Sequence, residues 1–168
     1  RVSCHRPRST RLADADALIA ARGERVLQCG YMKLYDPAVE RLVELLDDGP
    51  AELVYLSVEV NDPDQLPFVD HLGLIGGQDV PADLVARTRA AGAQAVDDTL
   101  GRPALPAETR AFDAYLSALV HDVSLAHHLL GALGYTPPLP IADAVYFDAG
   151  RGVSLSWALP GGARAHLT

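Results

Sequence analysis

The sequence carries few features that announce a chemistry outright. It has only two cysteines, Cys4 and Cys29. Two thiols do not make the disulfide framework of a small secreted domain, and both read as reduced thiols of a cytoplasmic protein. No apolar run approaches the roughly 20 residues of a membrane span, so no membrane association is expected. The opening residues, RVSCHRPRST, lack the apolar segment of a signal peptide and do not begin with Met. That start is what a processed or trimmed polypeptide would show. Positive charge is in deficit: the net charge of −8 argues against nonspecific nucleic-acid binding. Internal repeats are absent, as are GxGxxG, GxxxxGK, a nucleophile elbow, CxxC and HExxH. No cofactor is therefore expected to be held by these residues alone, and no metal.

What is present suits one domain, or one with a small appendage. The 168 residues are 49% apolar, enough to bury a core. LADADALIAAR, 12–22, is helical in composition, with Ser9 or Thr10 as its N-cap and Gly23 as its stop. RVLQCGY, 25–31, reads as a short strand. PAVERLVELLDD, 37–48, reads as an amphipathic helix with Asp36 as cap and Pro37 in its first turn. ELVYLSVEV, 52–60, is the clearest strand. Leu53, Tyr55, Ser57 and Glu59 share a mixed face, and Val54, Leu56, Val58 and Val60 share an apolar one.

Residues 61–82 are rich in Pro, Gly and Asp and read as a long excursion with little regular structure. Asp62, Asp64, Asp70, His71 and Asp79 are oxygen and nitrogen donors, but they lack the spacing of a metal loop. A helix follows over 82–101, with Gly92 as a weak point. Another runs from about Glu108 onward with a break near Ser117. Strands are expected over 141–149 and 153–160 about a turn at 150–152, and a further strand begins at RAHLT.

The stretch LSALVHDVSLAHHLLGALG, 116–134, organises the rest. Leu116, Leu119, Val120, Val123, Leu130 and Leu133 recur at three- and four-residue spacing and mark a buried stripe. Ser117, His121, Ser124 and His128 recur at four, three and four and mark a polar one. A solvated outer helix face would give the same pattern. His127 and His128 are adjacent, so they point apart and make a poor metal pair. The cluster Arg1, Arg6, Arg8 and Arg11 can meet a phosphate or carboxylate, although a solvated terminus is the commoner setting for arginines.

Three segments together resemble the Gfo/Idh/MocA oxidoreductases, from the end of their nucleotide-binding domain onward. VSCHRP, 2–7, stands where that family has a strand ending in Glu-Lys-Pro. GYMKLYDPA, 30–38, looks like its Gly-Tyr/Phe-x-x-Arg segment, and LVHDVSLAHHLLGALG, 119–134, like its His-bearing helix. The resemblance covers most of this chain but only the later half or so of a full-length member. It implies an α+β fold with an open, mostly antiparallel β-sheet and helices packed on one face. Residues 1–30 would be the remnant of a Rossmann-type domain and 31–168 the second domain.

The resemblance also implies an oxidoreductase acting on a small sugar-like, polyol or natural-product metabolite, with NAD(P) held by a domain outside this sequence. A homodimer through the sheet face follows from it too. His121 would exchange the substrate proton, helped by Ser117, while Tyr31, Lys33, Arg6, Ser124 and His128 would bind substrate. Several family positions differ here: Arg6 replaces the Lys, His5 the Glu, Leu34 the Arg, and Ser117 the Asp. Arginine stays protonated at neutral pH and does not take over the role of a titrating lysine. Two other readings fit the same residues. One is a cofactor-free isomerase, lyase or cyclase using His121 as acid and base. The other is a non-catalytic dimerisation or partner module, with His121 a core histidine satisfied by the backbone.

Overall fold

The structure is a computed structural model that describes residues 2–4 (backbone only), 11–47, 52–61, 66–73, 77 and 79–168. Strand β1 (Val2–Cys4), helix α1 (Leu12–Arg22) and strand β2 (Leu27–Cys29) form a small unit in which the two strands run parallel. Their register sets Cys4 opposite Cys29, and Cys29 is an exposed free thiol. Arg1, Arg6 and Arg8 of the basic cluster fall outside the described residues, as do the expected caps Ser9 and Thr10. Arg11 begins α1 instead and bridges Asp14 to Asp98.

Helix α2 (Pro37–Asp47) starts as the sequence predicts. Asp36 accepts a hydrogen bond from the Ala38 N–H at 2.8 Å, and Pro37 fills the first helical position, whose N–H needs no partner. Strand β3 (Tyr55–Val58) follows. The expected excursion holds a short helix α3 (Leu66–Val69) and a 3-10 turn, Asp70–Leu72. Asp70, His71 and Asp79 join no group of three metal-ligating side chains among the described residues, and Asp62 and Asp64 lie outside them.

Helix α4 (Ala82–Leu100) runs through Gly92 without a break and closes on Gly101 in the left-handed region. Its Ala-rich composition carries the single unfavourable residue. Helix α5 (Pro106–Ala114) has Pro106 at its first position. The Glu108 carboxylate accepts the Leu105 N–H and both Arg102 guanidinium NH2 groups, at 2.6–2.9 Å. A π-helical segment, Tyr115–Leu119, then leads into α6 (Val120–Ala132). The break expected near Ser117 is therefore one wide turn rather than a loop.

Strands β4 (Ile141–Phe147), β5 (Gly152–Ala158) and β6 (Arg164–Leu167) complete a four-stranded sheet ordered β3-β6-β5-β4. Both hairpin pairs are antiparallel, and β3 pairs with β6 in parallel. The expected α+β architecture with a mostly antiparallel sheet is what forms. The parallel pair arises because the chain between β3 and β6 crosses the helical layer and enters β6 from the same end.

Alternation sorts the sheet into two faces. Trp157, Leu159, Ala163, Ala165 and Leu167 turn inward and pack on Ala126 and Leu130 of α6, with Leu56 and Val58 beside them. Leu130 and Trp157 are 0% and 2% exposed. The other face carries Tyr55, Ser57, Ser154, Ser156, Arg164 and His166, and Ser156 Oγ lies 3.0 Å from His166 Nδ1. Among the described residues no helix is long and apolar enough to cross a membrane.

Candidate functional site

Two segments distant in sequence meet at the start of α6. One is the 3-10 turn Met32–Tyr35, held between β2 and the Asp36-capped start of α2. The other is the first turn of α6, against which the 3-10 turn packs. The contact brings Tyr31, Lys33, His121 and Asp122 together.

Lys33 donates to Asp122 Oδ1 and forms an ion pair with it. Lys33 is the only lysine in the chain. Its side chain is 43% exposed, whereas that of Asp122 is 4% exposed. The pair therefore carries one positive charge from the solvent to a buried carboxylate, which a low-dielectric setting makes expensive to leave alone. Next to it the Tyr31 ring meets the His121 ring edge to face, with centroids 5.9 Å apart and planes at 87°. His121 Nδ1 and Asp122 Oδ2 are both buried and have no hydrogen-bond partner among the described residues. Buried polar atoms are nearly always paired, so two neighbouring exceptions mark a place where a ligand's hydroxyl or carbonyl can complete the network.

The other expected site residues separate. Ser124 is half-buried and its Oγ donates to the His121 carbonyl at 2.7 Å within the same helix. His128 is exposed two turns beyond His121. Ser117 is exposed in the π-helical segment and donates to the Ala114 carbonyl at 3.3 Å. Arg6 and His5 lie outside the described residues. The polar stripe is thus not one surface, because the π turn adds a residue to the helical repeat and offsets Ser117 from His121.

His127, absent from the stripe, tucks its ring against Trp157 with centroids 5.6 Å apart. Burial holds its imidazole below the ordinary range, and its Nε2 has no partner among the described residues. Asp122 is the functional candidate that sequence reasoning missed. It sits about 100° around the helix from His121, off the stripe, and its link to Lys33 crosses 89 positions. The signal available was that the chain's single lysine stands in the GYMKLYDPA segment.

A second concavity lies at the end of the sheet where β3, β4 and β6 finish and β5 begins. Its volume is about 630 Å³, and Ser117 and Ala118 of the π-helical segment form one wall. None of Tyr31, Lys33, His121 or Asp122 lines it. Comparisons with protein-family models, with curated proteins and with solved structures find no match to this chain.

Proposed function

We propose that this domain is the substrate-handling part of a Gfo/Idh/MocA-like oxidoreductase, acting on a small sugar-like, polyol or natural-product metabolite. The observation that supports it most is the meeting of Lys33 and Asp122 beside His121 and Tyr31. Two of the three segments that carry the resemblance, 30–38 and 119–134, are in contact, and they bring together an imidazole, an ammonium and a carboxylate. In this reading a substrate hydroxyl lies against His121, which takes its proton as the carbon is oxidised and returns it in the reverse direction. Lys33 stabilises the oxygen as negative charge develops on it, and Asp122 holds Lys33 in place.

The residues of this chain do not supply a dinucleotide site: the Gly-rich loop that cradles a pyrophosphate is missing from the sequence. NAD(P), which supplies hydride transfer, would be held by residues beyond this sequence. The same reading assigns the protein to the cytoplasm, consistent with an exposed free thiol at Cys29. It also assigns a homodimer to the outer sheet face around Tyr55, Ser57 and His166.

The test is nicotinamide-dependent turnover of polyols and sugars by the polypeptide encoded by the natural gene. His121→Gln should remove turnover and leave the melting temperature nearly intact, and Lys33→Met should lower kcat. Turnover that survives in His121→Gln would overturn the assignment. Turnover of a substrate without nicotinamide, lost in His121→Gln, would favour a cofactor-free isomerase or lyase built on the same residues.

A further inference from the structure

We propose that the cleft beneath the π-helical segment binds a small organic cation, an amine on a short apolar body, with Glu59 as its counter-ion. Among the described residues three charged side chains line the cleft: Glu59, Asp148 and Arg151. Arg151 is already paired with Asp148 at 2.8 Å. Glu59 has no ion-pair partner among the described residues. The described lining therefore carries one negative charge in excess, in a chain of net charge −8, which repels an anion and attracts a cation.

The rest of the described wall mixes apolar residues, among them Val60, Leu119 and the aromatic Phe147, with a few uncharged polar ones. A Cβ on Gly152 would fall 2.2 Å from the Phe147 ring, so the ring lies directly on the glycine backbone. That places an aromatic surface at the cleft, the kind of surface an ammonium or its alkyl stem packs against. Asn61 and Ser117 add uncharged acceptors.

Two costly backbone conformations border the same cavity. One wall is the π-helical segment. The other is the β4–β5 turn, where Asp148 and Ala149 take φ of 48° and 54° without being glycine. This turn is held rather than frayed. Arg110 Nε donates to the Ala149 carbonyl at 2.8 Å, and a Cβ on Gly150 would lie 2.0 Å from the Ala107 carbonyl oxygen of α5. π turns and left-handed non-glycine residues concentrate at ligand sites, where a ligand repays their cost.

The experiment is titration of this chain with benzylamine, benzyl alcohol and benzoate, followed by calorimetry and by shifts of backbone amides around 59–61 and 147–153. Benzylamine should bind saturably, about tenfold or more tighter than benzyl alcohol, and benzoate should not bind. Glu59→Gln should bring benzylamine down to the level of benzyl alcohol. Asn61→Asp and Arg151→Gln each make the lining more negative and should tighten benzylamine, a gain that damage to the fold does not mimic. Equal binding of the amine and the alcohol, preference for benzoate, or no effect of charge at 59, 61 and 151 would overturn the proposal.

Discussion

Replacing Lys33 by Met removes the charge that faces Asp122 and keeps most of the alkyl stem. The cost depends on where the pair sits between two limits. Exposed ion pairs contribute about 0–1 kcal/mol, and removing one partner of a fully buried pair costs about 3–5 kcal/mol. Here one partner is 4% exposed and the other 43%. The buried member is the one left unpaired, but solvent reaches the vacated side, so a loss of about 2 kcal/mol is expected. With a urea dependence of about 2 kcal/mol per molar, the unfolding midpoint should fall by about 1 M.

Asp122→Asn should cost less, because it removes the buried charge and keeps an acceptor for Lys33. In the double variant the buried charge is gone before the lysine is removed. The double variant should therefore be more stable than the summed losses predict, by about 1 kcal/mol or more. Urea titrations of the four proteins, followed by the emission of the single tryptophan, measure this coupling. Losses that add to within about 0.5 kcal/mol would show that Lys33 and Asp122 are not coupled, because residues that share no interaction behave that way.

Gly150→Ala would place a methyl against the backbone of α5 at a φ of +88°, with a loss of about 3 kcal/mol in the same titration. Gly152→Ala meets a side chain that can swing, so its main effect should be a changed environment for the Phe147 ring in the proton spectrum. His127 binds its proton less readily in the folded chain than in the unfolded one. Its contribution should be complete above about pH 6.5 and be lost as pH falls below that value; His127→Gln should flatten this part of the stability profile. Arg102 and the Leu105 N–H hold the Glu108 carboxyl down to about 2. Its contribution should be full above the ordinary value of 4.5 and fade as pH drops toward 2, and Arg102→Gln should weaken that acid-range slope. Calorimetry with NAD and NADP should detect no tight binding to this chain alone.

Helix α1, the capped start of α2, and the strands β4 and β5 were legible because each is fixed by local chemistry: alternation, a capping Asp, a glycine at a turn. The core was partly legible. Val120 and Leu130 belong to the expected buried stripe and are buried, whereas Ala126 and Leu129 lie off it and are buried too. The parallel pairing of β3 with β6 depends on how the helical layer carries the chain across, which no window of sequence contains. At the site, His121 and Lys33 stood out by residue type and segment. Asp122 did not, because its role comes from a partner 89 positions away. Ser117 looked aligned with His121 only under a uniform 3.6-residue repeat, and the π-helical segment breaks that alignment.

The most direct measurement uses the uniqueness of Lys33. Reductive methylation with ¹³C-formaldehyde labels one side chain besides the terminal amine and keeps its positive charge. The Lys33 methyl resonance should be displaced from that of a solvated lysine, because Lys33 is held by Asp122. It should shift in Asp122→Asn and in His121→Gln, and again when a polyol or sugar substrate is added. A resonance at the free-lysine position, unchanged by both substitutions and by every substrate offered, would mean that Lys33 is not held at a substrate site beside Asp122 and His121.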